Sequence, residues 1–210
     1  MILGIDTSIG TAVGLVEPDG LVVAEASSAD PRGHAEVVGT LLAEVARPGV
    51  THVAAGMGPG PFTGLRVGIA AARAFALGGE GGRGIPVIPV VSHDAAAFAQ
   101  LVSDAAAGIA TPRFAVVTDA RRREYAFTVY DGLDDDGLPA RVTEPALAHR
   151  DDLDARLAEH DAARLDTLVI SAAMLAVVGA RALAAGRVVG PQEPLYLRAP
   201  DVTPPKQVVR

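Results

Sequence analysis

The chain has 210 residues, half of them hydrophobic and a fifth charged, enough for one large domain or two small ones. Twenty-five acidic residues against 18 basic ones give a net charge of −7, which argues against nucleic-acid binding by overall charge. There is no cysteine and Lys206 is the only lysine, so disulfides, thiolate chemistry, Cys-ligated metals, a Walker A lysine and a Schiff base are excluded.

The elements follow in order. Residues 2–7 read as a buried strand, and 12–17 and 21–26 as two more, joined by Pro18-Asp19-Gly20 with its Asp-Gly turn signal. A helix over 33–46 sets Val37, Val38, Leu41, Leu42 and Val45 at helical spacing. A strand (51–57), a Gly/Pro loop, a helix (64–77), a strand (86–91) and a helix (92–106) come next. From residue 107 the pattern restarts, with a strand over 114–118 leading into Asp119 and a second over 125–130 leading into Asp131-Gly132. The first half likewise runs from a strand ending in Asp6 to a turn at Asp19-Gly20, so an internal repeat of two α/β halves is expected, each presenting an aspartate. A helix (149–160), a strand (167–171), a helix (175–185) and a proline-rich extended tail complete the reading. The expected division is residues 1–106, 107–190 and a tail over 191–210. Met1-Ile2-Leu3-Gly4-Ile5-Asp6 has no basic signal region and the apolar stretch 67–79 is short and carries Arg73, so no membrane contact and a cytoplasmic location are expected.

Chemistry concentrates in few places. The loop Gly56-Met57-Gly58-Pro59-Gly60-Pro61-Phe62-Thr63-Gly64-Leu65-Arg66 lies between a strand and a helix, where backbone amides receive an anion or where glycine and proline simply build a tight turn. In the helix after it the only charges are Arg66 and Arg73, seven apart on one face; a helix apolar nearly all round needs cover on a second side, from a partner subunit or from the 33–46 helix. Gly79-Glu80-Gly81-Gly82-Arg83-Gly84 follows a helix and precedes a strand, the reverse of a dinucleotide fingerprint, and reads as a loop. The five histidines show no i, i+4 pair, Asp134-Asp135-Asp136 reads as a solvated turn, and Arg121-Arg122-Arg123 as an exposed face, an ion-pair cluster or a phosphate-backbone contact. Asp6, Thr7, Ser8 and Thr11 resemble the phosphate hairpin of actin-like ATPases, with Thr7 narrowing the position where glycine is usual; in an autonomous actin-like ATPase or sugar kinase, Asp6 and Asp119 would hold the metal.

Ile2-Leu3-Gly4-Ile5-Asp6-Thr7-Ser8, His34, Gly58-Pro59-Gly60-Pro61-Phe62-Thr63-Gly64-Leu65-Arg66-Val67-Gly68, Pro89-Val90-Val91-Ser92, Asp119-Ala120-Arg121-Arg122 and Pro194-Leu195-Tyr196-Leu197-Arg198 stand in the order of the bacterial TsaB (YeaZ-type) family, which the chain resembles over nearly its whole length. The resemblance implies an α/β actin/Hsp70-like (ASKHA) fold of two RNase H-like halves, with mixed sheets flanked by helices. It implies a non-catalytic subunit, not itself an enzyme, that dimerises with and activates a TsaD-type transferase, which places threonylcarbamoyl on N6 of the adenosine beside the tRNA anticodon. A TsaE-type ATPase and, through the complex, tRNA are the further partners, with a homodimer where the partner is missing. No catalytic or metal residue is expected, and no cofactor held by this chain alone, ATP or ADP entering only within the complex. Interface roles carry over to Val38, Leu41, Leu42, Val45, Leu65, Ile69, Ala72 and Arg73, and loop roles to Gly58, Gly60, Thr63, Gly64 and Arg66. TsaD-like relatives pair two histidines on a metal, whereas here His34 is followed four residues later by Val38. Pro61, His93-Asp94 and Glu124-Tyr125-Ala126 depart from the family's usual residues.

Overall fold

The first two strands, β1 (Ile2–Asp6) and β2 (Thr11–Val16), are buried along their whole length and therefore carry apolar residues without alternation. Pro18-Asp19-Gly20 turns β2 into β3 (Val22–Ser28): Gly20 takes φ +93 and its amide donates to Glu17 O at 2.9 Å. The remaining elements are α1 (His34–Val45), β4 (His52–Gly56), α2 (Phe62–Gly82), β5 (Val87–Val90), α3 (Ser92–Ala106), β6 (Phe114–Asp119), β7 (Glu124–Leu133), β8 (Pro139–Arg141), β9 (Ala146–His149), α4 (Leu153–Ala158), β10 (Ala163–Asp166) and α5 (Ala172–Ala184). The structure is a computed structural model and describes residues 1–30 and 33–198. The last part of the expected tail, with Lys206, lies outside the described residues.

Two five-stranded mixed sheets result. The first has the order β3-β2-β1-β4-β5, the second β10-β6-β7-β8 with β9 also paired to β7. The repeat is visible in the pairing. β1 lies antiparallel to β2 and parallel to β4, as β6 lies antiparallel to β7 and parallel to β10. Asp6 opposes Ala12 in one hairpin, and Asp119 opposes Tyr125 in the other. The layers run α1 and α2, first sheet, α3 and α5, second sheet, α4. This is an actin-like α/β architecture.

The middle layer joins the halves. α5, which follows the second sheet in sequence, packs on β1, β2, β4 and β5 of the first. Gly4 and Gly14, direct cross-strand partners, leave the flat place where α5 begins: a Cβ on either would run into the backbone of Ala172 or Ala173. α3 in turn packs on β6, β7 and β8, so the sheets divide between β5 and β6 while the helices α3 and α5 cross over. Polar pins hold α3 there. Arg141 donates from Nε to Asp94 Oδ1 at 2.8 Å and from Nη2 to Asp94 Oδ2 at 2.7 Å, and Tyr130 OH donates to Asp94 Oδ1 at 2.8 Å. His93, fully buried, reaches Thr128 Oγ1 at 2.8 Å and Thr118 Oγ1 at 3.0 Å.

Several expectations need correction. The glycine run 79–84 is not a separate loop: α2 continues through Gly82. Gly81 and Gly82 end it with φ +67 and +90, while the amides of Gly84 and Ile85 close back on Gly79 O and Ala76 O. The helix expected over 149–160 shrinks to α4, because His149 belongs to β9, and neither β9 nor β8 was anticipated. The strand expected over 167–171 lies instead at β10: Ala163-Arg164-Leu165-Asp166 pairs through its backbone with β6, whereas the apolar Leu168 and Val169 stand exposed in a loop.

Candidate functional site

Two hairpins, one from each half, meet the Gly/Pro loop. In the first, Asp6 is buried and saturated: Ser8 N donates to Oδ1 at 2.8 Å, Ser8 Oγ to Oδ1 at 2.5 Å and Ser92 Oγ to Oδ2 at 2.5 Å. Ser92 Oγ accepts in turn from Gly58 N at 3.1 Å, so the carboxylate fastens the β1 end, the start of α3 and the loop. Burial pushes the Asp6 carboxyl above the ordinary carboxylate range, against the pull of these donors. Thr7 is fully buried and its hydroxyl donates to Gly64 O at 2.7 Å. A Cβ on Gly68 would strike that Thr7 side chain, and one on Gly60 would strike Ser8. Thr11 Oγ1 lies 2.9 Å from Nδ1 of the buried His34. The residues of the expected phosphate hairpin are therefore assembled, but their polar groups bond one another and the first turns of α2. The glycines of the loop serve that close approach.

The second hairpin is open to solvent. The Asp119 side chain is 58% exposed, accepts from Arg121 N at 2.7 Å, and pairs with Arg150 Nη2 at 3.0 Å. Asp6 and Asp119 line different cavities. Among the described residues no three His, Asp or Glu side chains converge where a metal ion would sit.

Between the halves runs a cleft of about 320 Å³, with Ser8 and the loop on one side and the Asp119-Arg122 turn on the other. The segment after α5 crosses both. Arg73 Nη2 donates to Gln192 O at 2.9 Å, Leu195 N to Met57 O at 2.8 Å, and Arg66 Nε to Tyr196 OH at 3.1 Å. The Tyr196 ring lies 4.7 Å from that of Phe62, on which the Arg66 guanidinium also stacks at 4.0 Å. Arg198 then reaches the second half, donating to Ala120 O and Arg121 O and pairing with Glu124. This strap was missed as a structural element although its residues stood out as a motif. Two arginines seven apart on α2 were the available signal.

Six of the eight interface residues carried over from the resemblance lie in the chain's own core. Val38, Leu41, Val45, Leu65, Ile69 and Ala72 are buried against the chain's own first sheet, since the helical spacing that singled them out marks the core-facing stripe. Leu42 is half-buried, and Arg73, though exposed, is tied to the strap. The exposed face of α2 is made of Thr63, Arg66, Ala70, Ala74 and Leu77, the last 74% exposed. On α1 it is made of Ala35, Glu36, Gly39, Thr40, Ala43 and Glu44.

A family profile described as TsaD, tRNA N6-adenosine threonylcarbamoyltransferase, matches residues 22–182. Two solved structures from Pseudomonas aeruginosa share the fold. One, an uncharacterised protein described as similar to peptidase YeaZ, has a TM-score of 0.69 and 25% identity and covers 94% of this chain and 99% of its own. The other, YeaZ, has a TM-score of 0.68 and 23% identity, over 93% of this chain and 99% of its own. An uncharacterised protein of Mycobacterium tuberculosis is 36% identical over 97% of this chain and 94% of its own length. The chain belongs to the TsaD family and is of the TsaB (YeaZ) type. A TsaB-type chain has a place in threonylcarbamoyladenosine-related tRNA modification. No helix among the described residues is long and apolar enough to cross a membrane.

Proposed function

We propose that this chain is the non-catalytic subunit that pairs with a TsaD-type transferase and activates it to modify N6 of the adenosine beside the tRNA anticodon. The observation that carries the reading is the outward face of α2, where Ala70, Ala74 and Leu77 present small and apolar side chains that nothing among the described residues covers. Beside it α1 presents the stripe Ala35, Gly39 and Ala43, bordered by the exposed Glu36 and Glu44, so a partner helix can approach both backbones closely along the small residues. The saturated Asp6 hairpin fits a supporting role, because its carboxylate and hydroxyls are already bonded within the chain. A TsaE-type ATPase and tRNA join through the complex, and ATP or ADP is bound there.

The test is co-elution of the full chain with its cognate TsaD-type subunit on size exclusion. Leu77→Asp and Ala74→Arg are expected to abolish the joint peak while shifting stability by less than about 0.5 kcal/mol, as exposed substitutions do. Cells carrying only these variants are expected to lose threonylcarbamoyladenosine from their tRNA, read by nucleoside mass spectrometry. Co-elution of the variants at wild-type strength would overturn the assignment of this face.

A further inference from the structure

The turn that closes the second hairpin has an unusual backbone. Arg121, Arg122 and Arg123 all sit in the left-handed region, at φ +62, +54 and +62, where a side chain is disfavoured and glycine or asparagine is the relaxed choice. Local hydrogen bonds hold the conformation: Glu124 N donates to Arg121 O, Ala120 N to Glu124 O and Arg150 N to Arg123 O. Nothing in turn formation calls for arginine at three such positions in succession, so their side chains have to be explained by what they face.

They face the cleft and its mouth. Arg121 and Arg122 line the 320 Å³ cavity together with Arg198, whose guanidinium is already met by Glu124, and Arg123 follows outward, its side chain 73% exposed and 3.8 Å from the equally open Asp151 carboxylate. Asp119 is the only carboxylate among the described lining residues, and Arg150 and the Arg121 amide already hold it. The opposite wall is the start of α2, which no side chain among the described residues caps, with the Phe62 and Tyr196 rings beside it. The cavity thus combines arginine side chains with stacked aromatic surface, and its volume suits one nucleotide. The arginines continue past its mouth, which suits a chain of phosphates rather than a single one.

We infer that this cleft receives a single-stranded RNA segment, its phosphodiesters on the Arg121-Arg122-Arg123 turn and one unstacked base against Phe62 and Tyr196. The choice of RNA rests on the tRNA-directed role proposed above. The geometry supplies the rest.

The experiment measures anisotropy of a labelled RNA stem–loop with an unpaired loop, titrated with the full chain across a salt series. The R121Q/R122Q double variant is expected to weaken binding at least tenfold and to flatten the slope of log K against log salt by about 1.4, or 0.7 per lost phosphate contact. Arg121→Gly separates a binding role from a structural one. It is expected to raise Tm by about 2–4 °C by relaxing the left-handed backbone, while still weakening RNA binding. RNA affinity in the double variant equal to that of the wild type, or no binding by either, would overturn the inference. So would AMP displacing the RNA completely with the same sensitivity to the double substitution, which would make the cleft a small-molecule site. Co-elution of R121Q/R122Q with the TsaD-type subunit, run in parallel, keeps the outcomes apart: its retention leaves the pairing standing whatever the cleft binds.

Discussion

The two hairpins occupy equivalent places in the repeat, yet their aspartates differ in nearly every physical respect. Asp6 is sealed, receives three short hydrogen bonds and fastens the Gly/Pro loop to the start of α3; Asp119 faces solvent and an arginine. Each hairpin is also fastened by threonines to a buried histidine, Thr11 to His34 in the first half and Thr118 with Thr128 to His93 in the second. Of two carboxylates at equivalent places, one is an internal fastener and the other stands at the rim of an arginine-rich cleft. Equivalent topology therefore fixes where a side chain stands but not what it does.

The sharpest way to break the comparison is at His93, since it holds the second hairpin from beneath. Burial lowers its pKa to about 3, so it is neutral in the folded chain and bonds both threonine hydroxyls. His93→Leu would strip the buried Thr118 and Thr128 hydroxyls of their imidazole partner, Thr128 keeping only its bond to Tyr130, at an expected cost of about 2–4 kcal/mol in urea denaturation. The pH dependence has a definite sign. The unfolded histidine takes up a proton near pH 6.5 and the folded one only near pH 3, so His93's contribution is complete above pH 6.5 and is lost as pH falls toward 3, at up to about 1.4 kcal/mol per pH unit. The difference in stability between wild type and variant is expected to shrink over that window, and a constant difference would contradict a neutral, buried His93.

Asp6 is the next largest. Asp6→Ala would strip Ser8 and Ser92 of their acceptor and is expected to cost about 2–3 kcal/mol, whereas Asp6→Asn keeps an acceptor for the Ser8 amide and a donor toward Ser92 and is expected to cost less. Its pH signature opposes that of His93. Because burial raises the Asp6 pKa, the native state holds that proton to higher pH than the unfolded chain, so Asp6 favours folding most below the ordinary carboxylate value and loses that contribution as pH rises through its raised pKa. Denaturation midpoints compared between wild type and Asp6→Asn on both sides of that range check the sign.

Much of this was legible in advance. The buried strands, the Asp-Gly turn and the helices over 33–46, 64–77 and 92–106 follow from period and punctuation, and the repeat from one aspartate at each strand end. What stayed hidden depends on long-range pairing. β10 is a polar edge strand held by its backbone to β6, while Leu168 and Val169 imitate a buried strand. On α1 and α2 the apolar spacing reports burial but does not name what covers it, so it singled out core-facing Leu65 and Ile69 and passed over exposed Ala70 and Ala74. His93 and Asp94 stood out only as departures from the family, and a partner tens of residues away explains each.

The smallest expected effect lies at Asp119, and its smallness is what the comparison requires. Asp119→Asn removes the charge that faces Arg150 but keeps an oxygen able to accept from Arg121 N, so the turn is expected to stay folded. An exposed ion pair contributes little, and the loss is expected to fall under about 1 kcal/mol, well below that of Asp6→Ala. It would also diminish with added salt, which screens an exposed pair and leaves the buried hydrogen bonds of Asp6 nearly untouched. Equal losses at the two aspartates would mean that the hairpins are equivalent in energy as well as in place. In that event the arginine turn beside Asp119 would be held by the carboxylate itself rather than by its backbone bonds to Glu124 and Arg150.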